Sequence, residues 1–524
     1  MPVPGRSPRV VVVGGGVGGL ACAIDLRRRG VAVTVLERAA AVGGKLRQVE
    51  VGGVGVDAGP TVLTMRWVFE GLFADAGTSL AEQVTLRPLE ILARHAWQDG
   101  TRLDLFADEE RSAAAIEAFA GRAEAAGFHA FCHHTATIYR HVSGPFIAAA
   151  RPTLTSLAAS LGLAGARHLF KIDFHRSMWR ALGDFFKDPR LRQLFGRYAT
   201  YYGSDPFTAP ATLNLIAHVE QAGVWTVEGG MIGLAAAMAR VAEDLGVEIR
   251  RGVEVATIGA QAGRVDRVVL ADGGALPADA VVFNGDVGAL AQGRLGPAGA
   301  AAIPAPSRSR RSLSAVTWTG LAQVRGWPLV RHNVCFSRDY AAEFAALGAG
   351  RVPDEPTVYI CAQDRSDRAE AAGDEPQRVL ILINAPPRGD EGAPFPPEIE
   401  ACQRATLHLL RRCGLDVTLD PAAIRVTTPS AFEAMFPGTG GALYGSATRS
   451  WRDSLTRHAA RTRLAGLYLA GGSVHPGAGV PMATLSGRYA AQSVCEDLAS
   501  TGAWRPAATA GGTSTRSATT VVTG

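Results

Sequence analysis

Lysine is almost missing from this chain of 524 residues: Lys45, Lys171 and Lys187 are the only three, and arginine supplies the rest of the 53 basic side chains. Against 48 acidic residues the formal charge is +5, too slight an excess to argue for a nucleic-acid partner. Also missing is any run of 18 or more apolar residues, so no segment reads as a membrane-spanning helix. The opening MPVPGRSPRVVVV has too short an apolar run and no small-residue cleavage site, and secretion is not expected. The seven cysteines, at 22, 132, 335, 361, 402, 413 and 495, are odd in number, scattered and free of C-x-x-C spacing. That pattern excludes a disulfide framework or zinc knuckle and fits reduced thiols in a cytosolic protein. His133 and His134 follow Cys132 directly, but neighbouring side chains on a helix diverge by about 100° and cannot easily chelate one ion. No metal site is expected. With 47% hydrophobic and 19% charged residues the chain is neither disordered nor fibrous. Its length implies two or three domains.

What the chain has in excess is glycine: 61 residues, roughly one in nine, against an average of about 7%. No Gly-X-Y period accounts for them, so their positions matter. Arg9–Val13 is a run of β-branched residues long enough for a buried parallel strand, and it leads straight into Gly14-Gly15-Gly16-Val17-Gly18-Gly19. The spacing G-x-G-x-x-G falls on Gly14, Gly16 and Gly19. A helix follows through LACAIDLRRRG, ended by Gly30, and a second strand over Val31–Leu36 closes on Glu37. Strand, glycine turn, helix, strand and terminal acid together make a dinucleotide-binding fingerprint. Gly14 makes the tight turn, Gly16 lets a pyrophosphate approach the backbone, and Gly19 lets the helix pack closely on the strand. The helix start offers N–H donors to phosphate, and Glu37 is placed to accept hydrogen bonds from a ribose, which disfavours NADP.

Two further segments choose between dinucleotides. Gly43-Gly44-Lys45 and Asp57-Ala58-Gly59-Pro60-Thr61 follow the acid and resemble the turns of glutathione-reductase-like and amine-oxidase-like flavoproteins. More than 400 residues later, the strand Leu464–Ala470 runs into Gly471-Gly472-Ser473-Val474-His475-Pro476-Gly477-Ala478-Gly479-Val480-Pro481 and then a helix from Met482 to about Leu498. An NAD dehydrogenase has no need of this second cradle, whereas a flavin ring does. Gly252-Val253-Glu254-Val255, preceded by VEGGMIGLAAAMARVAEDLGVEIR, supplies a third returning piece.

On these residues the sequence resembles the bacterial carotenoid (phytoene) desaturase family. The matches are Val12–Leu20, Asp57–Thr61, Gly223–Gly230, His332–Phe336 and HPGAGVP at 475–481, in the family's order over about residues 8–500. The segments 59–73, 91–106 and 466–488 are most similar to the branch of 1-hydroxycarotenoid 3,4-desaturases. One departure is Val227-Glu228, where phytoene desaturases carry Pro-Arg or Pro-Lys; it marks the branch or alters the flavin's surroundings. The resemblance implies an α/β fold, a Rossmann-type FAD-binding domain of the amine-oxidase and phytoene-desaturase group, with a mixed sheet-plus-helix substrate domain. It places the FAD-binding pieces at 1–95, 225–300 and 455–500 and the substrate domain at 96–224 and 301–454; the tail at 501–524, which carries no hydrophobic period after Trp504, is expected to be disordered.

It also implies FAD as cofactor, with Gly14, Gly16 and Gly19 at the phosphates, Glu37 at the adenosine ribose, Lys45 near the pyrophosphate and Val255 at the adenine. Thr61 would approach the isoalloxazine, while Gly472, Ser473 and the helix beginning near Met482 hold the ribityl chain and the flavin edge. Gly15, Arg38, Gly44, Pro60, Val480 and Ala483 complete the expected contacts.

Desaturation removes two hydrogens from a CH2–CH2 unit, and the redox chemistry belongs to the cofactor. No triad is expected; His475 is the one candidate for proton handling, with a purely structural role in its glycine loop as the alternative. A carotenoid lives in the bilayer, so the protein is expected in the cytoplasm, peripherally attached to the inner or intracytoplasmic membrane. The segment 154–186 carries Phe170, Phe174, Met178, Trp179, Phe185 and Phe186 among basic residues and reads either as an interfacial helix or as a helix pair packed on the core. Phytoene or diapophytoene desaturase is the alternative activity, and flavin amine oxidase a more remote one.

Overall fold

The computed structural model describes residues 7–151, 172–304, 307–365, 375–392 and 396–500. The expected tail at 501–524 and most of the aromatic segment's first half, 154–171, lie outside the described residues.

Five strands make an all-parallel sheet in the order Leu467–Leu469, Ala280–Phe283, Arg9–Val13, Ala32–Glu37, Glu248–Arg251. A parallel sheet must be covered on both faces, and the valine run of the first strand shows how. Successive side chains point to opposite faces: Val10 and Val12 pack with one apolar cluster, Val11 and Val13 with another. The first cluster is built with the helices Val17–Arg27, Ile232–Asp244 and Val480–Ser500. The second is built with the antiparallel layer Val255–Gln261, Arg264–Leu270, Ala275–Pro277. Helices Val17–Arg27 and Val480–Ser500 approach closely, since a Cβ on Gly487 would lie 1.9 Å from the Gly18 carbonyl oxygen. Across this crossing Arg488 donates to the buried Asp25 at 3.0 Å. Leu20, fully buried between them, sets the scale: truncation to alanine costs about 2–5 kcal/mol.

A second sheet has seven strands in the order Leu415–Thr427, Ser314–Gly326, Gln377–Ala385, Val358–Ala362, His332–Cys335, Ile91–Ala96, Arg102–Phe106. It is antiparallel except where His332–Cys335 runs alongside Ile91–Ala96. The period of two again sorts its faces. Val379, Ile381 and Ile383 pack into a core with Leu409 and Leu410 of helix Pro396–Arg412, while Leu380, Leu382 and Asn384 turn to the other side and line a cavity. Around that cavity the helices Arg122–Val142, Met178–Phe185, Pro189–Gly196 and Leu215–Gln221 add a wall stiffened by stacked rings, such as Phe186 on Phe195 at 4.7 Å.

The described part of the aromatic segment packs inward. Met178, Ala181, Leu182 and Phe186 are buried, and Phe131 meets Phe185 and Phe186 edge-on at 5.6 and 5.4 Å. Over 172–186, Phe174, Trp179 and Phe185 remain partly exposed. Among the described residues no helix is long and apolar enough to cross a membrane, and no group of His, Cys, Asp and Glu could hold a metal ion.

Candidate functional site

The first strand, Arg9–Val13, ends at Gly14, whose φ of +102° turns the chain in a way side chains resist. Gly16 is the N-cap of the following helix and offers no side chain to its first turn, so the amides there are left for an outside acceptor. Gly19 sits against the strand end: a Cβ would be 2.1 Å from the Gly14 carbonyl oxygen. Glu37, 8% exposed at the end of the second strand, accepts the Gly15 N–H at 2.7 Å and the Ala39 N–H at 2.8 Å. These two bonds fix the carboxylate, and a carboxylate has lone pairs left for a ribose.

From this turn a cavity of about 1130 Å³ extends into the molecule. Along its first stretch lie Gly14, Gly16, Glu37, Arg38 and Val255. Gly44, Lys45, Pro60 and Thr61 line its middle, and Gly472, Ser473, Val480, Met482 and Ala483 bring the second glycine segment and the start of the last helix to it. Gly15 and Gly19 are behind this surface, shaping the turn rather than facing the cavity. An extended dinucleotide fits such a cradle: glycine amides and a helix start at one end, a carboxylate beside them, and a second helix start further along. Its size exceeds the roughly 300–1,000 Å³ of an ordinary small-molecule site, which leaves room for a substrate beside the cofactor.

Several side chains hold this cradle that sequence reasoning did not single out. Asn284, directly after the strand Ala280–Phe283, donates from Nδ2 to the Gly14 carbonyl at 3.1 Å and fills the space beside Gly16, Gly18 and Gly471. Arg457 donates to the carbonyls of Gly472 at 3.3 Å and Ser446 at 2.6 Å, pinning the second glycine segment from outside. Asp57, which opens the expected Asp57–Thr61 turn, accepts the Met231 N–H at 2.7 Å and ties that turn to Gly229-Gly230. Asn284 had a sequence signal, as a polar residue ending a buried strand; Arg457 had none.

Lys45 is buried, donates from Nζ to the Leu443 carbonyl at 2.5 Å and lies 5.4 Å from the Phe436 ring centre. Burial lowers its pKa, and Asp286 opposes that shift. Arg38 donates to the carbonyls of Ala434 and Met435, closing that loop over the first stretch. Ser473 Oγ accepts the Val287 N–H at 3.2 Å. Thr61 Oγ1 lies 2.7 Å from the Tyr359 hydroxyl, which is also 2.7 Å from His332 Nδ1. Burial pushes His332 down to about 3, so the ring is neutral at physiological pH.

Two residues sit away from the cavity surface. His475 hydrogen-bonds through Nε2 to the Ala149 carbonyl at 2.8 Å and packs between Phe146 and Tyr489, and it is absent from the lining. Those contacts use the ring to fasten the HPGAGVP loop to residues 146–149. Glu228, of the departing Val227-Glu228 pair, forms a surface ion pair with Arg87 at 3.1 Å and does not touch the cavity.

Fold and cradle together define a flavin-dependent oxidoreductase with a Rossmann-type nucleotide domain. The family model described as flavin containing amine oxidoreductase matches residues 17–495. A hydroxyneurosporene desaturase of Rubrivivax gelatinosus is 51% identical over 522 residues, covering 99% of both chains. One of Cereibacter sphaeroides is 47% identical, covering 94% of this chain and 98% of its own. Among solved structures, putrescine oxidase bound to putrescine superposes with a TM-score of 0.58 at 15% identity, over 94% of this chain and 99% of that one. The chain belongs to the flavin-containing amine oxidoreductase family and, within it, to the carotenoid desaturase group of these relatives. FAD is its cofactor.

Proposed function

We propose that the protein is an FAD-dependent carotenoid desaturase that introduces the C3,4 double bond into a 1-hydroxycarotenoid of the 1-hydroxyneurosporene or 1-hydroxylycopene type, in spheroidene or spirilloxanthin synthesis. The observation that carries this reading is the full-length relation, at 51% identity, to a protein named hydroxyneurosporene desaturase. When bound, FAD supplies the hydride acceptor.

The chain's own part is to bind, orient and keep out water. Leu380 and Leu382 from the second sheet, with Leu213, Ile216 and Val219 from the helical wall, give the cavity beyond the cofactor residues an apolar lining suited to a thin polyene. Thr61, fixed by Tyr359, stands where the cofactor stretch meets this lining. Gly14, Gly16 and Lys45 take the pyrophosphate side, Glu37 the ribose and Val255 the adenine. Gly472, Ser473 and the helix start at Met482 take the ribityl side. The FAD half comprises 1–95, 225–300 and 455–500, and the substrate half 96–224 and 301–454. A cation left on the substrate after hydride loss is delocalised over the polyene, so water or a weak base suffices to take the proton. His475, fastened to the Ala149 carbonyl, is left a structural part.

The substrate's bilayer home supports peripheral attachment to the cytoplasmic face of the membrane. Flotation of the holoprotein with anionic vesicles tests this; full recovery in the lipid-free fraction contradicts it. For the activity, the purified flavoprotein is incubated without oxygen with 1-hydroxyneurosporene and, separately, with phytoene. Bleaching of the flavin and a red-shifted product from the hydroxylated substrate are expected. Conversion of phytoene alone would replace the reading with phytoene desaturation.

A further inference from the structure

The apolar part of the cavity is interrupted at one place. Arg197 and Tyr201 on the turn Arg197–Tyr202, and Glu220 on helix Leu215–Gln221, all face into it. Arg197 is 5% exposed and Glu220 4%. Arg197 Nη1 donates to the Tyr201 hydroxyl at 2.9 Å, and the guanidinium lies 4.9 Å from that ring's centre and 5.5 Å from that of Tyr198. Among the described residues its Nε and Nη2 have no acceptor, and Glu220 Oε2 has no donor. Unpaired donors on a buried guanidinium and an unpaired carboxylate oxygen in one cavity are costly unless a ligand completes them.

The ligand's chemistry follows from what is left open. A hydroxyl donates one hydrogen bond and accepts up to two, so it accepts a hydrogen bond from the guanidinium and donates one to the carboxylate. A carbonyl or an ether accepts only and leaves Glu220 open. A carboxylate would meet Glu220 with like charge. A hydrocarbon end leaves Arg197 Nε and Nη2 and Glu220 Oε2 unpaired.

The position follows as well. Tyr359, whose hydroxyl meets Thr61 at 2.7 Å, lines the same cavity as Arg197, Tyr201 and Glu220, and the Tyr201 phenol helps raise the Tyr359 pKa. The polar cluster therefore neighbours the Thr61 end, where cofactor and substrate meet. A chain anchored there by its hydroxyl presents the bonds next to that hydroxyl to the Thr61 end.

We propose that Arg197 and Glu220, with Tyr201 positioning the guanidinium, bind the terminal hydroxyl of the substrate and thereby select both hydroxylated carotenoids and the bond next to the hydroxylated end. This rests on the desaturase reading and adds to it the residues that read the substrate. Arg197 and Glu220 are specificity residues, and Tyr201 acts through Arg197.

The test follows anaerobic flavin reduction by 1-hydroxyneurosporene, its 1-methyl ether and neurosporene, for wild type and for Glu220→Gln, Arg197→Met and Tyr201→Phe. Flavin absorbance serves as the check on folding. Wild type is expected to favour the alcohol over the hydrocarbon by on the order of 100-fold in kcat/KM, with the ether between. Glu220→Gln replaces a carboxylate oxygen with an amide donor and is expected to shift the ether-to-alcohol ratio toward the ether by about fivefold or more, a selective change that a merely structural role would not give. Arg197→Met is expected to bring alcohol and hydrocarbon within about threefold of each other, and Tyr201→Phe to fall between. Equal rates for alcohol and hydrocarbon in wild type would overturn the proposal, and so would an unchanged ether-to-alcohol ratio in flavin-loaded Glu220→Gln. Loss of FAD from Arg197→Met leaves the decision with those two measurements. Reduction by none of the three carotenoids would instead overturn the desaturase reading, and the proposal with it.

Discussion

Replacing Gly19 with alanine opposes two effects of known sign. Within a helix, alanine is favoured over glycine by roughly 1 kcal/mol, so intrinsic propensity alone predicts a more stable protein. Yet the added Cβ would sit 2.1 Å from the Gly14 carbonyl oxygen, 2.9 Å from Asn284 Nδ2 and 3.2 Å from Val12 Cγ1. Ordinary contact needs separations of about 3.5 Å, so the helix start must move off the strand by about 1 Å. That movement strains the Asn284 bond to Gly14, 3.1 Å in the native protein, and carries the amides near Gly16 and Val17 away from the proposed phosphate site. Overpacking of this kind costs about 1–3 kcal/mol, which outweighs the propensity gain. Where the strain is relieved at the cofactor's expense, it amounts to roughly 10–100-fold in FAD affinity. The measurement is FAD titration of the apoprotein by fluorescence quenching, paired with a denaturant melt. Gly348→Ala is the control: it lies at the end of helix Tyr340–Gly348, where an added methyl meets nothing within 4 Å among the described residues, and is expected to leave FAD affinity unchanged. If Gly19→Ala binds FAD like wild type and melts later, the close-packing argument is wrong.

Asn284→Ala removes the bond to Gly14 and is expected to weaken FAD roughly tenfold, read by the same titration; unchanged affinity would strip Asn284 of its part in shaping the turn. Arg457→Ala frees the carbonyls of Gly472 and Ser446 and is expected to speed FAD release by about tenfold, followed by stopped-flow exchange with a flavin analogue. Glu343 is buried between Ser337 Oγ and Thr357 Oγ1, both at 2.6 Å, and burial pushes its pKa up to about 7. That lies above the unfolded value of roughly 4.3, so the native state holds the proton more tightly. The resulting stabilisation is full below about pH 4 and is lost as pH rises through about 7, an amount of about 4 kcal/mol. Denaturant midpoints at pH 5 and pH 8 are expected to differ less for Glu343→Gln than for wild type.

The parts legible in the sequence are those in which a local stretch carries its own geometry. The expected first strand coincides with Arg9–Val13, and the second, Val31–Leu36, appears as Ala32–Glu37. The helix expected from Met482 begins two residues earlier, at Val480, where Pro481 is accommodated in the first turn. The strand expected over 464–470 shrinks to Leu467–Leu469, because only those residues find partners beside Ala280–Phe283. Arg197, Glu220 and Arg457 escaped notice for a different reason. Each is a single polar residue on a short element, and it acquires a role only through groups far away in the chain. The aromatic stretch around Met178–Phe186 shows the converse: rings at helical spacing look alike whether they face lipid or a core, and contacts such as those of Phe186 with Phe131 and Phe195 are not legible in the spacing.

The parallel nucleotide sheet is completed by a strand at 467–469 laid beside one at 280–283, and the last helix locks onto the first through Gly487 and Gly18. During synthesis the first glycine turn therefore leaves the ribosome long before its counterpart exists. At about 5–20 residues per second, the nascent chain spends on the order of half a minute or more with an unfinished sheet edge exposed. The complete cradle thus exists only after residues 467–487 are made, and a product cut short before residue 467 leaves that edge strand unpaired and open to aggregation.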